Sequence, residues 1–347
     1  MGHFLLYRQL LYMVQSRNRT VKMSKHKNGR QRRWTRGSTP VHQRRGQNMI
    51  RIWKEQVSGM LTKEAAAAVS CFSGEIVAFE TRDCYDDAVT SEERPLGDRE
   101  DTIENPATGP LYVEGAEPGD VLKVEILEII PRDWGVMRSS PVAGVFFEDF
   151  TERTARIFQL KDGKVQFDDQ LALELDTMIW VIGTAPAGEG IDTATPGCHG
   201  GNMDCRRIVA GSVLYLPVNV KGALLSIGDL HGRMGDGEVF ICGLETGGEV
   251  TVRVTVLKDC DLPTPFLYDK GDVMTIQSAK TLDEAGDMAA KAMKEFVKRA
   301  AGKSDFEAGM LMSLVSNMVV CQVVDPLKTV RMEFPLKILE TFGYQLP

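Results

Sequence analysis

The sequence lacks any run of the roughly 18 uninterrupted apolar residues that a membrane-crossing helix needs. Its best attempt, residues 4–14, is short and broken by Arg8 and Gln9, so no membrane span is expected. It also lacks a CxxC pair. The seven cysteines, Cys71, Cys84, Cys198, Cys205, Cys242, Cys260 and Cys321, are scattered and odd in number. That pattern argues against a disulfide scaffold or zinc finger and for reduced thiols in a cytoplasmic protein. No GxxxxGK(S/T) run and no strand-linked GxGxxG is present, so nothing points to a bound nucleotide, and GDG at 235–237 reads as a turn. No internal repeat of solenoid length is visible.

Acidic residues are missing from one end only. Residues 1–48 hold 12 Lys and Arg and no Asp or Glu, whereas residues 49–347 hold 29 Lys and Arg against all 48 acidic residues. The formal charge of −7 is therefore a basic leader joined to an acidic body. Such a body repels phosphates and anionic lipids, so neither nucleic acid nor a membrane is expected as a partner. An Arg-rich, acid-free leader fits an organelle transit peptide or a basic nucleic-acid-binding arm, but no aromatic interleaving supports the arm. MIRIW at 49–53 opens directly into regular structure. The favoured reading takes Met49 as the start of the functional protein and residues 1–48 as a disordered extension dispensable for chemistry.

The body, residues 49–260, reads as short strands between Gly- and Pro-rich turns. Alternating, β-branched stretches occur at 75–81, 120–130, 164–167, 177–182, 212–218, 237–243 and 249–257. Residues 261–347 change character. TLDE at 281–284 is a capping box ahead of a helix over 285–301. SDFE at 304–307 opens a second helix, over 308–324, which is apolar almost all round and so expected to be buried or to lie in a dimer interface. A closing strand is expected at 329–334. The fold class is thus mainly β with an α+β C-terminal part, around a sandwich- or barrel-like core.

Histidine is scarce where it matters. Of five, His3, His26 and His42 lie in the leader, leaving His199 and His231 for the body. Both occur in glycine-rich, carboxylate-bearing segments, PGCHGGNMD (196–204) and GDLHGRMGDGE (228–238). Imidazole with carboxylate suits zinc, and carboxylate oxygens also suit calcium. Asp229 and His231 are two apart, so on an extended segment they point the same way. The competing reading is a pair of satisfied structural histidines. Asp83 and Glu114 lie at strand ends, as site carboxylates or as solvated surface, and the tight polar run from Asn105 either lines a pocket or turns the chain. Cys198 adjoins His199, but neighbours on an extended chain face opposite ways, which weakens a thiol-nucleophile reading.

These segments carry a resemblance. NPATGPLYVEGAEPGD (105–120), PGCHGGNMD, GDLHGRMGDGE and VVDPLKTV (323–330) are similar to hallmark segments of the acetamidase/formamidase family, in the same order across about residues 49–347. The resemblance implies a β-sandwich-like core, a homodimer, and hydrolysis of short aliphatic amides such as formamide and acetamide to carboxylate and ammonia. It implies bound zinc, with calcium in addition, and carries over His199, Asp204, Asp229 and His231 as ligands, with Asp83 as a further one. A metal-activated water then attacks the carbonyl, with N–H groups of Gly200 and Gly201 holding the oxyanion and Asn105 and Asn202 lining the substrate site. Glu238 is expected to carry the proton, with Asp236 and Glu114 behind it. The alternatives are a non-catalytic β-sandwich holding structural calcium, and an amidase with Cys198 or Ser140 as nucleophile.

Overall fold

A computed structural model of the chain describes residues 49–347, so the expectations for residues 1–48 lie outside the described residues. The β-branched stretches form strands whose alternate side chains bury on one face. In Gly248–Leu257, Val250, Val252 and Val254 are fully buried while the residues between them are half-buried. This strand pairs antiparallel with both Ile76–Thr81 and Val121–Pro131.

Nine strands make the first sheet. Its spatial order is Ile50–Ile52, Ile76–Thr81, Gly248–Leu257, Val121–Pro131, Val213–Pro217, Phe266–Asp269, Asp272–Ala279, Lys328–Pro335 and Asn317–Gln322. A second, eleven-stranded sheet has Glu245–Thr246, Leu225–His231, Met178–Gly183 and Gly200–Asn202 side by side, with Ala107–Glu114 also paired to Leu225–His231. Leu111, Ile179, Ile182 and Ile227 of the second sheet pack against Phe79, Val124, Leu214 and Val252 of the first. That shared core defines a mainly β sandwich. Each such side chain, fully removed from water, contributes about 1.5–3 kcal/mol.

The helices cover the C-terminal end of the first sheet. Helix α1, Leu282–Ala301, starts at Thr281, whose side chain accepts from the Glu284 N–H, and ends at Gly302 in the left-handed conformation. Its Ala289, Met293 and Phe296 pack on Phe266, Val330 and Phe334. Helix α2, Asp305–Val315, has the complete capping box from Ser304 and Glu307.

Two expected elements differ. The second helix stops at Val315, and residues expected to continue it form the strand Asn317–Gln322, because the β-branched run there pairs with Lys328–Pro335. It is not buried either: only Ala308 and Met312 are, while Phe306 and Leu314 are 76% and 78% exposed. The expected strand at 237–243 is an irregular loop, in which Glu238 (φ 48°) and Ile241 (φ 93°) both leave the extended region and only Gly237 makes a single bridge, to Gln322.

Gly228 shows how tightly the second sheet is built. A Cβ there would sit 2.1 Å from the Pro106 carbonyl oxygen and 2.6 Å from Ala107 Cα, both backbone atoms that cannot swing aside. Gly228→Ala is expected to lower the unfolding free energy by about 2 kcal/mol or more. Urea denaturation checks this, and an unchanged midpoint would show that the strand pair yields without cost.

Candidate active site

The site begins with a break in a strand. Along Leu225–His231, Leu225 and Ile227 face the sandwich core, and uninterrupted alternation would send Asp229 and His231 there too. Asp229 instead takes a left-handed conformation (φ 53°), one of the few residue types that tolerates it. The alternation shifts by one: Leu230 enters the core, and Asp229 and His231 turn the other way. Register then sets His231 directly opposite Glu245 on the neighbouring strand, so their side chains meet. Nε2 of His231 lies 2.9 Å from Oε1 of Glu245 and 4.0 Å from Oε1 of Glu238. Neither contact has the geometry of a hydrogen bond. Cys84, Asp229 and Glu245 bring ligand atoms within 4.8 Å of one another, as do His231, Glu238 and Glu245.

Every buried side-chain nitrogen or oxygen without a partner among the described residues belongs to eight residues: Trp180, His199, Asn202, Asp204, Asp229, His231, Glu238 and Glu245. Buried polar atoms are normally bonded, and each orphan costs about 1–3 kcal/mol. Four residues here or at the rim, Asn105, Asp204, Asp229 and Glu238, also hold left-handed φ of 48–53°. Such strain persists only where the surroundings impose it, and it gathers at functional sites. Orphaned carboxylates beside an orphaned imidazole form a donor set that fits a divalent cation.

Burial governs the electrostatics. It holds Asp204, Asp229, Glu238 and Glu245 well above the usual carboxylate range, and repulsion among them adds to the effect. Asp325 rises to about 7, again chiefly through burial. Burial pushes His231 well below the usual imidazole value and His199 down to about 4. Both rings are therefore neutral at neutral pH, the form that binds metals.

The residues named from sequence divide sharply. Asp229, His231 and Glu238 meet at the cluster. Asp204 lies beside it, its charge coupled to Glu238 and Asp325. Asn202 donates to Oδ2 of Asp325 at 2.9 Å and leaves its own Oδ1 unpartnered. His199 is buried with both nitrogens free but lies outside the two ligand groups. Asp83 is corrected to an anchor: Oδ1 accepts from the N–H groups of Tyr85 and Asp87, and Oδ2 pairs with Arg132. Asp236 is likewise held, by both terminal nitrogens of Arg331 at 2.6 and 3.0 Å, so both of its oxygens are already engaged. Glu114 is exposed at the end of Ala107–Glu114 away from the site, about 23 Å along the strand from Ala107. Gly200 already donates its N–H to the Gly197 carbonyl, and a Cβ on Gly201 would lie 2.5 Å from the Thr195 carbonyl oxygen and 2.9 Å from Nε2 of His199. The two glycines thus make room rather than an oxyanion hole. Cys198 is exposed while His199 is buried, so the pair does not form a nucleophile and base.

Sequence reasoning missed Glu245, Cys84, Trp180 and Asp325. Trp180 meets the His231 ring edge-on at 3.8 Å, with its indole N–H unpartnered. A cavity of about 290 Å³, lined by Cys84, Asn105, Arg138, Arg153, Trp180 and Asp325 among others, opens beside the cluster.

Comparison with known proteins points to one family. The Acetamidase/Formamidase family profile matches residues 54–189 and 183–270. A formamidase of Methylophilus methylotrophus is 30% identical over 246 residues, covering 52% of this chain and 60% of its own. The chain spans 60% or less of the curated relatives it matches. Among solved structures, an acetamidase from Bacillus halodurans is 46% identical with a TM-score of 0.82, over 85% of this chain and all of that one. A recombinant predicted acetamidase/formamidase from Thermoanaerobacter tengcongensis is 40% identical with a TM-score of 0.83, over 86% and 99% of the two chains.

The raised carboxyls fix a pH dependence for cation-free protein. Unfolded carboxyls titrate near ~4, so between there and the folded values the folded chain binds more protons. The stability this contributes is fully present below about pH 4 and is lost as pH rises through the folded values, about 7 for Asp325. The melting temperature of chelator-treated protein is expected to fall from pH 5 to pH 8, and added zinc is expected to remove that fall. A melting temperature that climbs over the same range would contradict the assignment.

Proposed function

This chain belongs to the acetamidase/formamidase family, and on that premise we propose that its buried cluster hydrolyses linear primary amides to a carboxylate and ammonia with the help of a divalent cation. The observation that carries this reading is the confinement of the unpartnered buried side-chain atoms, among the described residues, to acids, imidazoles, one amide and an indole. His231, Asp229 and Glu245 would hold the cation, zinc in the first instance, with Asp204 and Asp325 available to a second ion such as calcium. When bound, the cation supplies Lewis acidity and brings the pKa of a water down to about 7.

The remaining roles fall to the chain itself. Glu238, 4.0 Å from the His231 ring and held above the usual carboxylate range, takes the proton from the attacking water and delivers it to the departing nitrogen. The Trp180 N–H donates to the substrate carbonyl oxygen, and Oδ1 of Asn202 accepts from the amide NH₂, so that both ends of the amide group are oriented. Water adds to the carbonyl carbon, the C–N bond breaks, and the products are RCOO⁻ and NH₄⁺.

Two further expectations find support here. The exposed Phe306, Met310 and Leu314 of α2 favour self-association as a homodimer. All seven cysteines are free thiols, which favours a reducing compartment such as the cytoplasm. Among the described residues, no helix is long and apolar enough to cross a membrane.

Separation of roles is testable. In the zinc-loaded full-length protein, Glu238→Gln is expected to lower ammonia release from acetamide and formamide by about a hundredfold or more, with zinc content unchanged. Glu245→Gln and His231→Ala are expected to lose zinc by elemental analysis as well as activity. Full activity in Glu238→Gln would remove it as the proton carrier.

A further inference from the structure

Resting on the amidase reading, we propose that the preferred substrate is itself an anion, a monoamide of a short dicarboxylic acid whose free carboxylate is held by Arg138 and Arg153. The argument starts from an imbalance. Of the 14 arginines in residues 49–347, ten pair with a carboxylate: Arg51, Arg82, Arg94, Arg99, Arg132, Arg206, Arg207, Arg253, Arg299 and Arg331. Arg156 and Arg233 lie elsewhere and bond to the carbonyls of Phe167 and Glu174. The other two, Arg138 and Arg153, both line the cavity that opens on the catalytic cluster. In so acidic a body, two arginines without a carboxylate partner in one opening stand out.

Their geometry suits a ligand. The Arg138 guanidinium lies over the Tyr85 ring at 4.0 Å and Nη1 donates to the Pro95 carbonyl at 3.2 Å. The group is therefore fixed in place while Nε and Nη2 stay free to donate. Arg153 is half-buried, and its side chain makes no hydrogen bond or ion pair among the described residues. Both also line the adjoining cavity with Tyr85 and Glu104. Glu104 also lines both openings and pairs with neither arginine. A planar guanidinium recognises carboxylate by paired, charge-assisted hydrogen bonds.

Electrostatics sets the direction of binding. The cavity wall carries Asp325, close enough to Glu238 for their charges to repel, which disfavours an anion there, and it also carries the two arginines, which attract one. A molecule with a neutral amide at one end and a carboxylate at the other is oriented by that gradient, amide inward toward Trp180 and Asn202. A cavity of about 290 Å³ accommodates a three- or four-carbon chain between them.

The test uses zinc-loaded full-length protein with succinamate and its neutral counterpart butyramide. Succinamate is expected to have the higher kcat/KM, by about tenfold or more, carried in KM. Arg153→Gln is expected to remove most of that preference, and Arg153→Lys to restore part of it. Succinate binding by calorimetry is measured in parallel, because it requires no turnover. Equal kcat/KM for the two amides, unmoved by Arg153→Gln, overturns the anionic-substrate proposal and leaves the amidase reading intact. Arg153-dependent succinate binding without release of ammonia from either amide upholds the anion site and overturns the amidase reading. Absence of both overturns both.

Discussion

Burying carboxylates without a counter-charge is the constraint on which this structure turns. An ion taken out of water costs several kcal/mol even after the protein relaxes, and among the described residues Asp204, Asp229, Glu238 and Glu245 have no guanidinium or ammonium against them. Protons or a cation must supply the missing charge, and the two differ in what they permit. Protonated carboxyls are inert as ligands. A cation restores the charged forms and gives each orphaned oxygen a partner. The surrounding sandwich tolerates the cluster because its apolar core is large and continuous, so stability gained there offsets the strain held at the left-handed residues.

What separates a working acid from a structural one here is the nearest arginine. Asp236 sits in the same glycine-rich stretch as Glu238, and Asp83 sits beside Cys84 at a strand end, so from their neighbours in the chain both look equally suited to chemistry. Arg132 and Arg331 decide otherwise, and they come from positions 49 and 95 residues away. No local pattern carries that information. The same distance hides Glu245, whose only qualification is its register opposite His231.

The strands and the first helix were legible because alternation, β-branching and capping act over a few residues, and His199 and His231 stood out by scarcity. Legibility ended where tertiary pairing overrides local pattern. The stretch after Val315 is apolar enough for a helix, yet a hairpin partner draws it into a sheet. The segment around Glu238 has a strand's composition, yet the site holds it in backbone angles no strand adopts. Gly200 and Gly201 were readable as special positions, but whether glycine there offers an N–H or clears space for a ring depended on where His199 points.

The parts of the site are drawn from almost the full length of the described chain, from Cys84 and Asn105 through Trp180 and Glu245 to Asp325. Contacts of such long range are the slowest to form, because loop closure must precede them. Asp325, just before the strand Lys328–Pro335, is the last of these residues in the chain, so the cavity wall is complete only once that segment has folded. Asp229, His231, Glu238 and Glu245 lie within one short stretch of chain, whereas Cys84, Trp180 and Asp325 must be brought to them from far along the sequence.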